Sequence, residues 1–261
     1  MESTVTVQLL ERNARARLRR VLATAHDHPD RSSRLPLQNE LFLVAHDDET
    51  GRPYLGQTML CLGLACALLL ELWLTGRVQI GWRYDARTGV GTADPGLIRV
   101  LDPKLSGDPL TDAALRVVWR NGGVMRVREF IREFATPDLY DRVRAYLVAS
   151  GILRRETRRR WLFFRNEVYL PTHHRLSVRA RSSVRDLVDN PRQASADDDY
   201  QTHALAGLVV GLGLTRYVSL GMSPAELQQK LIDQLATLRD PAIRDAVAAV
   251  APRRHSLAAA R

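Results

Sequence analysis

MLCLGLACALLLELWL, Met59 to Leu74, is the stretch on which the fold turns. Met59 to Leu70 is the longest apolar run in the chain, and Glu71 interrupts it before Leu72, Trp73 and Leu74. A bilayer span needs ~20 apolar residues, so the run reads as a buried core helix and not as a membrane crossing. Cys61 and Cys66 fall inside it, ~140° apart around a helix, and cannot pair within it. They are expected to be reduced core thiols, the state of a reducing cytoplasm. A shorter apolar run, Ala204 to Leu214, carries Gly207, Gly211 and Gly213. With no strand before it, this pattern points to close helix packing in preference to a nucleotide-binding turn.

Working outward from the core helix, Leu41 to Ala45 looks strand-like, and Asp47 to Gly51 supply turn residues before Arg52 to Leu55. Together they predict a hairpin leading into the core helix. Downstream, Trp82 to Thr92 reads as a further turn or short hairpin, and Thr111 to Trp119 as a helix with Thr or Asp at its N-cap. Val127 to Phe134 and Pro137 to Ser150 predict two helices, the second stopped by Gly151. Leu139, Val143, Tyr146 and Leu147 fall on one face of that second helix, and Asp141, Arg142 and Arg144 on the other. A strand at Ile152 and Leu153, a basic loop over Arg154 to Arg160 and a strand from Trp161 to Leu170 follow. His174 to Asp189 reads as an arginine-rich helix ended by Asn190-Pro191. The rest is mostly helical to Val250, with Ser223 as an N-cap and Pro224 at the first helical position.

These elements predict a mainly α protein, a single helical domain with added β-hairpins. Residues 1–36 are expected to form a basic N-terminal helix or arm and linker, residues 37–250 the domain, and residues 251–261 a frayed tail. The first eight residues are polar and the next stretch is arginine-rich, so no secretory leader is expected.

The 261 residues are 45% hydrophobic and 26% charged, near globular averages, which excludes wholesale disorder and low-complexity scaffolds. Charge is less ordinary: 38 basic against 29 acidic residues leave +9, and only Lys104 and Lys230 are lysines. Between Asp141 and Arg192 stand 13 arginines and five acids, a local excess of +8 that marks where an anionic partner would meet the protein.

Catalytic signatures are absent. No phosphate loop with its lysine, no Gly-x-Ser-x-Gly elbow and no Cys-x-x-Cys pair occurs, and spacing nominates no nucleophile with its base, so no enzyme and no cofactor is expected. His26-Asp27-His28, His46 with Asp47 and Asp48, and His173-His174 lack zinc-site spacing, so no metal is expected either. The distinctive segment is Arg154 to Phe164, where Arg154, Arg155, Arg158, Arg159 and Arg160 lead into Trp161, Leu162, Phe163 and Phe164. A half-buried strand alternates, whereas this quartet needs apolar surroundings on both faces. The protein core, a second copy of the chain and a bilayer interface all provide such surroundings. Arginines beside Trp and Phe match the last of these, a headgroup-plus-interface site.

The chain resembles the Golgi phosphoprotein 3 family over about residues 37 to 245. The resemblance is carried by Leu41 to Ala45 with Asp48 to Gly51, by LLLELWLTGRV from Leu68 to Val78, by Leu147 to Leu153, and by Trp161 to Phe164. It implies a mostly helical domain without catalytic activity that binds phosphatidylinositol 4-phosphate at the membrane, with Trp161 to Phe164 on the inserting hairpin. Thr58 or Met59, Ala65, Pro137 and Tyr140 stand where the family's headgroup pocket carries a tryptophan and arginines, so that pocket is not reproduced. Arg142 and Arg144, one to two turns on, are the expected substitutes. Arginines 12, 15, 17, 19 and 20 are similar in composition to the family's coat-binding arm, whose protein partner here is unknown. Taken with the arginine bias of a GC-rich coding sequence, the resemblance points to a bacterial, actinobacterial-type member.

The expectation is a cytoplasmic, peripherally membrane-associated protein. Arg142, Arg144, Arg154, Arg155, Arg158, Arg159 and Arg160 would meet anionic phospholipid of phosphoinositide type, and Trp161, Leu162, Phe163 and Phe164 would enter the bilayer. A winged-helix-like nucleic-acid binder is the alternative, since two helices followed by a basic hairpin also describe that module. A homo-oligomer joined through the hairpin is the third reading.

Overall fold

The computed structural model describes residues 34–84, 91–159, 165–189, 200–238 and 240–259. Among these residues are nine α-helices and two small antiparallel sheets, the mainly α architecture with hairpins that the sequence predicts. The 1–33 portion of the expected N-terminal arm lies outside the described residues.

The helix at the centre is α2 (Gln57–Leu74). It is long and apolar enough to cross a membrane by composition, but most of it is buried inside the protein. Helix α1 (Leu37–Val44), α3 (Pro109–Arg120), α4 (Val127–Phe134), α5 (Leu139–Ala149), α7 (Tyr200–Leu212) and α9 (Ala242–Ala259) all pack on it. Its apolar residues have no polar face because neighbours surround it, and both cysteines are buried and free. Burial alone pushes the Cys66 thiol up to about 12, which removes it from thiolate chemistry.

Helix α1 corrects the strand expected at Leu41 to Ala45. All eight of its residues are buried, including Gln38, Asn39 and Glu40, so no exposed face prints a helical period on the sequence. Glu71, the charge that breaks the apolar run, accepts a hydrogen bond from the Leu37 amide at 2.8 Å and so satisfies the first turn of α1. Glu40 accepts from Gln201 Nε2 at 3.0 Å and lies 3.5 Å from Arg34. Of the expected hairpin only an isolated bridge between His46 and Pro53 remains.

Strands β1 (Val78–Tyr84) and β2 (Gly91–Val100) form an antiparallel pair, with β3 (Val124–Arg126) added beside β2. The β1–β2 register shifts between Ile80 and Trp82. Gly81 sits there at φ +83°, and a Cβ on it would meet Pro241 Cγ at 2.7 Å. Asp108 caps α3, its carboxylate accepting from the Leu110 and Thr111 amides, with Pro109 at the first helical position. Ser223 likewise caps α8 (Pro224–Ala236), as the sequence predicts.

Gly207 and Gly211 on α7 do what their spacing predicts. A Cβ at Gly207 would lie 2.9 Å from Ile243 Cγ2, and one at Gly211 2.8 Å from Val247 Cγ1, so the absence of a side chain lets α9 lie against α7. The backbone of α9 continues to Ala259, into the segment expected as a frayed tail.

Candidate functional site

The basic segment is placed by α5 and the hairpin that follows it. Gly151 adopts φ +71° after α5 and turns the chain into β4 (Leu153–Arg159), which pairs antiparallel with β5 (Arg165–Pro171). The arginines expected in a loop therefore lie on a strand: Arg154, Arg155, Arg158 and Arg159 belong to β4, and β5 is described from Arg165 onward. Cross-strand pairing over seven residue pairs, from Leu153↔Pro171 to Arg159↔Arg165, supplies the order that the charged sequence alone does not announce. Arg160, Trp161, Leu162, Phe163 and Phe164 fall between the paired ends and lie outside the described residues.

Near its base the hairpin is anchored by Leu153 and Leu170, both buried. Further along, Arg154 and Arg155 are exposed on opposite faces of the two-stranded ribbon. Arg154 pairs with Glu156 at 3.1 Å, and Arg155 with Glu167 at 3.4 Å. Both pairs are solvent-exposed contacts that bind weakly and exchange readily with a competing anion.

Arg144 does not stand free beside these arginines. Its guanidinium lies 4.4 Å from the Tyr169 ring centre on β5 and 5.3 Å from the Tyr140 ring on its own helix, and 2.8 Å from Asp141. It ties α5 to the hairpin base. Tyr140 continues the contact inward, its hydroxyl 2.9 Å from His46 Nε2, while the rings of Phe42, His46 and Tyr140 lie parallel. His46 Nδ1 donates to the Phe42 carbonyl at 2.6 Å, so a neutral imidazole has Nε2 free to accept from Tyr140. Burial lowers its pKa to about 4, opposed by the Phe42 hydrogen bond and helped by the nearby charges of Arg144 and Arg181. The candidate ligand His46 is thus a packing and hydrogen-bonding residue. Among the described residues no three His, Cys, Asp or Glu side chains are grouped to hold a metal ion.

Arg142, two residues before Arg144, is ~200° away around α5 and does not share its surroundings. It lies 3.7 Å from Asp138 and lines an open cavity with Arg116 and Arg120 of α3. The two arginines expected to act together thus serve different places. The cavity was missed in the sequence; its only signal there was a pair of arginines four apart on the polar face of α3.

Below the hairpin, a second ionic anchor holds the turn after α1. Arg181 on α6 (His174–Asp189) grips Asp48 through two hydrogen bonds, at 2.6 and 3.1 Å. Its Nη2 also donates to the carbonyls of Leu43 and His46, at 3.2 and 2.8 Å, which closes the C-terminal end of α1. Asp47 holds the same turn through Thr50, and Gly51 passes so close to β5 that a Cβ would lie 2.6 Å from the Tyr169 carbonyl oxygen. The hairpin base is therefore packed against the domain on both sides.

Comparison with curated proteins gave no match. The family described as Golgi phosphoprotein 3 (GPP34) matches residues 37–250, from the first residue of α1 into α9. That match spans the central helix, the basic hairpin and the glycine-packed α7–α9 pair together, and so the chain belongs to the Golgi phosphoprotein 3 (GPP34) family.

Proposed function

We propose that this protein is a non-enzymatic, cytoplasmic, peripheral membrane protein that binds anionic phospholipid of phosphoinositide type through the β4–β5 hairpin. The observation that carries the reading is the hairpin itself. Two exposed arginines, Arg154 and Arg155, stand on a seven-pair ribbon whose joining segment is Arg160-Trp161-Leu162-Phe163-Phe164. Arg158, Arg159 and Arg160 bring the charge up to the apolar quartet. In this reading the arginines meet headgroup phosphates and the quartet enters the acyl boundary, each Arg near an anionic surface adding ~1 kcal/mol. Arg144 acts as the anchor that fixes the hairpin base.

Family membership supports the same class of partner. A duplex nucleic acid is less well served. Arg142 and Arg144 are each near an acid of their own helix, and four large apolar side chains beside a wing have no role against phosphate.

Flotation with vesicles carrying phosphatidylinositol 4-phosphate, against vesicles matched in charge with an unphosphorylated anionic lipid, tests the proposal. The wild type floats with anionic vesicles, and Trp161→Ala with Phe163→Ala loses most of that binding, since each side chain contributes ~1.5 to 3 kcal/mol when buried. Unchanged flotation of the double variant, or retention on duplex DNA in the presence of excess vesicles, overturns it. A shift from dimer to monomer in Phe163→Asp by light scattering, with flotation intact, would assign the quartet to self-association instead.

A further inference from the structure

An open cavity of about 420 Å³ lies between α3, the end of α4 and the start of α5, away from the residues that anchor the hairpin. Its volume falls within the range of small-molecule sites. Three arginines line it, Arg116, Arg120 and Arg142, against a single acid, Glu133. Among the described residues Arg116 and Arg120 make no ion pair. Asp112, which feels the charge of Arg116, is committed to the loop before α3 and accepts from the Ser106 amide, the Ser106 hydroxyl and the Gly107 amide at 2.7, 2.8 and 3.1 Å. Among the described residues Arg142 pairs only with the exposed Asp138, at 3.7 Å. Glu133 takes a hydrogen bond from Asn121 at 3.3 Å, which turns part of its charge toward a neutral partner.

The walls are apolar. Phe134 in the lining is buried, while Trp119 is 55% exposed, an unusual state for so large a ring when the other large aromatics among the described residues are mostly covered. Three like charges around one open concavity repel one another, and an anion that enters among them relieves that repulsion. Guanidinium forks fit the oxygens of a phosphate or pyrophosphate in pairs, and arginines one turn apart on a helix can close on one such group from the same side. An aromatic wall adds a flat surface for the organic part of the ligand.

We infer that Arg116, Arg120 and Arg142 form a phosphoanion site that takes a phosphomonoester or pyrophosphate group, with Trp119 against the group that carries it. The site is separate from the hairpin, and its ligand is either a soluble phosphoanion or the phosphorylated headgroup of a lipid.

The test uses the full chain. Sodium pyrophosphate and inositol 1,4-bisphosphate, titrated at constant ionic strength, are expected to raise the thermal midpoint saturably and to perturb the fluorescence of Trp119, identified by its loss in Trp119→Phe. Arg116→Ala with Arg120→Ala, both exposed positions where the fold tolerates change, weakens binding about tenfold or more, because charge-assisted hydrogen bonds are lost. Glu133→Gln strengthens it. Trp161→Ala with Phe163→Ala leaves it unchanged, so failure here and failure of the hairpin reading are told apart. If the Arg116/Arg120 variant also loses preference for phosphoinositide over charge-matched vesicles, the source is a lipid headgroup; an intact preference assigns a soluble ligand. Absence of saturable binding by either probe, or binding indifferent to the Arg116/Arg120 change, overturns the inference.

Discussion

His46 and Arg181 show how single side chains fix the ground on which the hairpin stands. Folding moves the His46 imidazole from an ordinary pKa of 6.5 to about 4. Between those values the unfolded chain binds a proton that the native state refuses. The stability supplied by the neutral imidazole is therefore whole above about pH 6.5, falls away as pH drops toward 4, and amounts to up to ~3 kcal/mol. Asp47 and Asp112 have lowered pKa values and lose their contributions only below the ordinary carboxylate range, while buried Asp240 has a raised pKa and gains on acidification. The measurement is accordingly a difference: urea midpoints of the wild type and His46→Gln from pH 7 to 4, with the steeper acid loss in the wild type. Parallel curves would remove His46 as the sensor. Arg181→Ala leaves the part-buried Asp48 carboxylate to the Ser177 hydroxyl and takes a donor from the Leu43 and His46 carbonyls, and a loss of about 3 kcal/mol is expected. Arg181→Lys recovers less than half, because an ammonium cannot reproduce the paired contacts to Asp48 while also reaching Leu43 and His46.

At the scale of elements, the sharpest prediction concerns α7 against α9. Gly211→Ala gains ~1 kcal/mol of helix propensity but places a methyl 2.8 Å from Val247 Cγ1, and a valine in a helix has one favoured rotamer with which to yield. Overpacking costs ~1 to 3 kcal/mol, so a net loss is expected in Gly211→Ala and a recovery in Gly211→Ala with Val247→Ala. Additive effects in that double-mutant cycle would mean that the helices part freely. This contact was legible in the sequence because Gly207 and Gly211 repeat at helical spacing inside an apolar run. The cap at Ser223 was legible for a similar reason, since it lies within a few residues of what it satisfies, whereas the helix expected from Thr111 starts two residues earlier, at Pro109, with Asp108 as its cap. Helix α1 was not: burial on every side removed the periodicity, and its partners Glu71, Gln201 and Arg181 come from 34 to 161 residues away. Strand β4 was hidden too, because four arginines in five charged positions carry no alternation, and only pairing with β5 makes them a strand. The hairpin's place in the chain was read correctly, its arginines were assigned to the wrong conformation, and the separation of Arg142 from Arg144 followed from helix geometry that a list of arginines does not convey.

For the whole molecule the question is whether binding reads total charge or its placement. A chain at +9 will approach any anionic surface, and a screening length of ~8 Å at physiological salt limits what distant arginines contribute once it is docked. Arg154 and Arg155 on the hairpin and Arg128 and Arg132 on α4 are exposed pairs of equal charge on different elements. Replacing either pair by Gln lowers the net charge from +9 to +7, so long-range attraction changes equally in the two variants. If the hairpin lies against the headgroups, Arg154→Gln with Arg155→Gln removes two contacts of ~1 kcal/mol each and weakens vesicle binding about thirtyfold, with a shallower dependence on salt. Arg128→Gln with Arg132→Gln then changes affinity by no more than about twofold, the share left to screened attraction. Flotation isotherms at two salt concentrations distinguish the outcomes. Equal weakening in the two variants would show that the membrane senses the protein's charge and not its hairpin, and the apolar quartet would have to find its apolar surroundings in another copy of the chain.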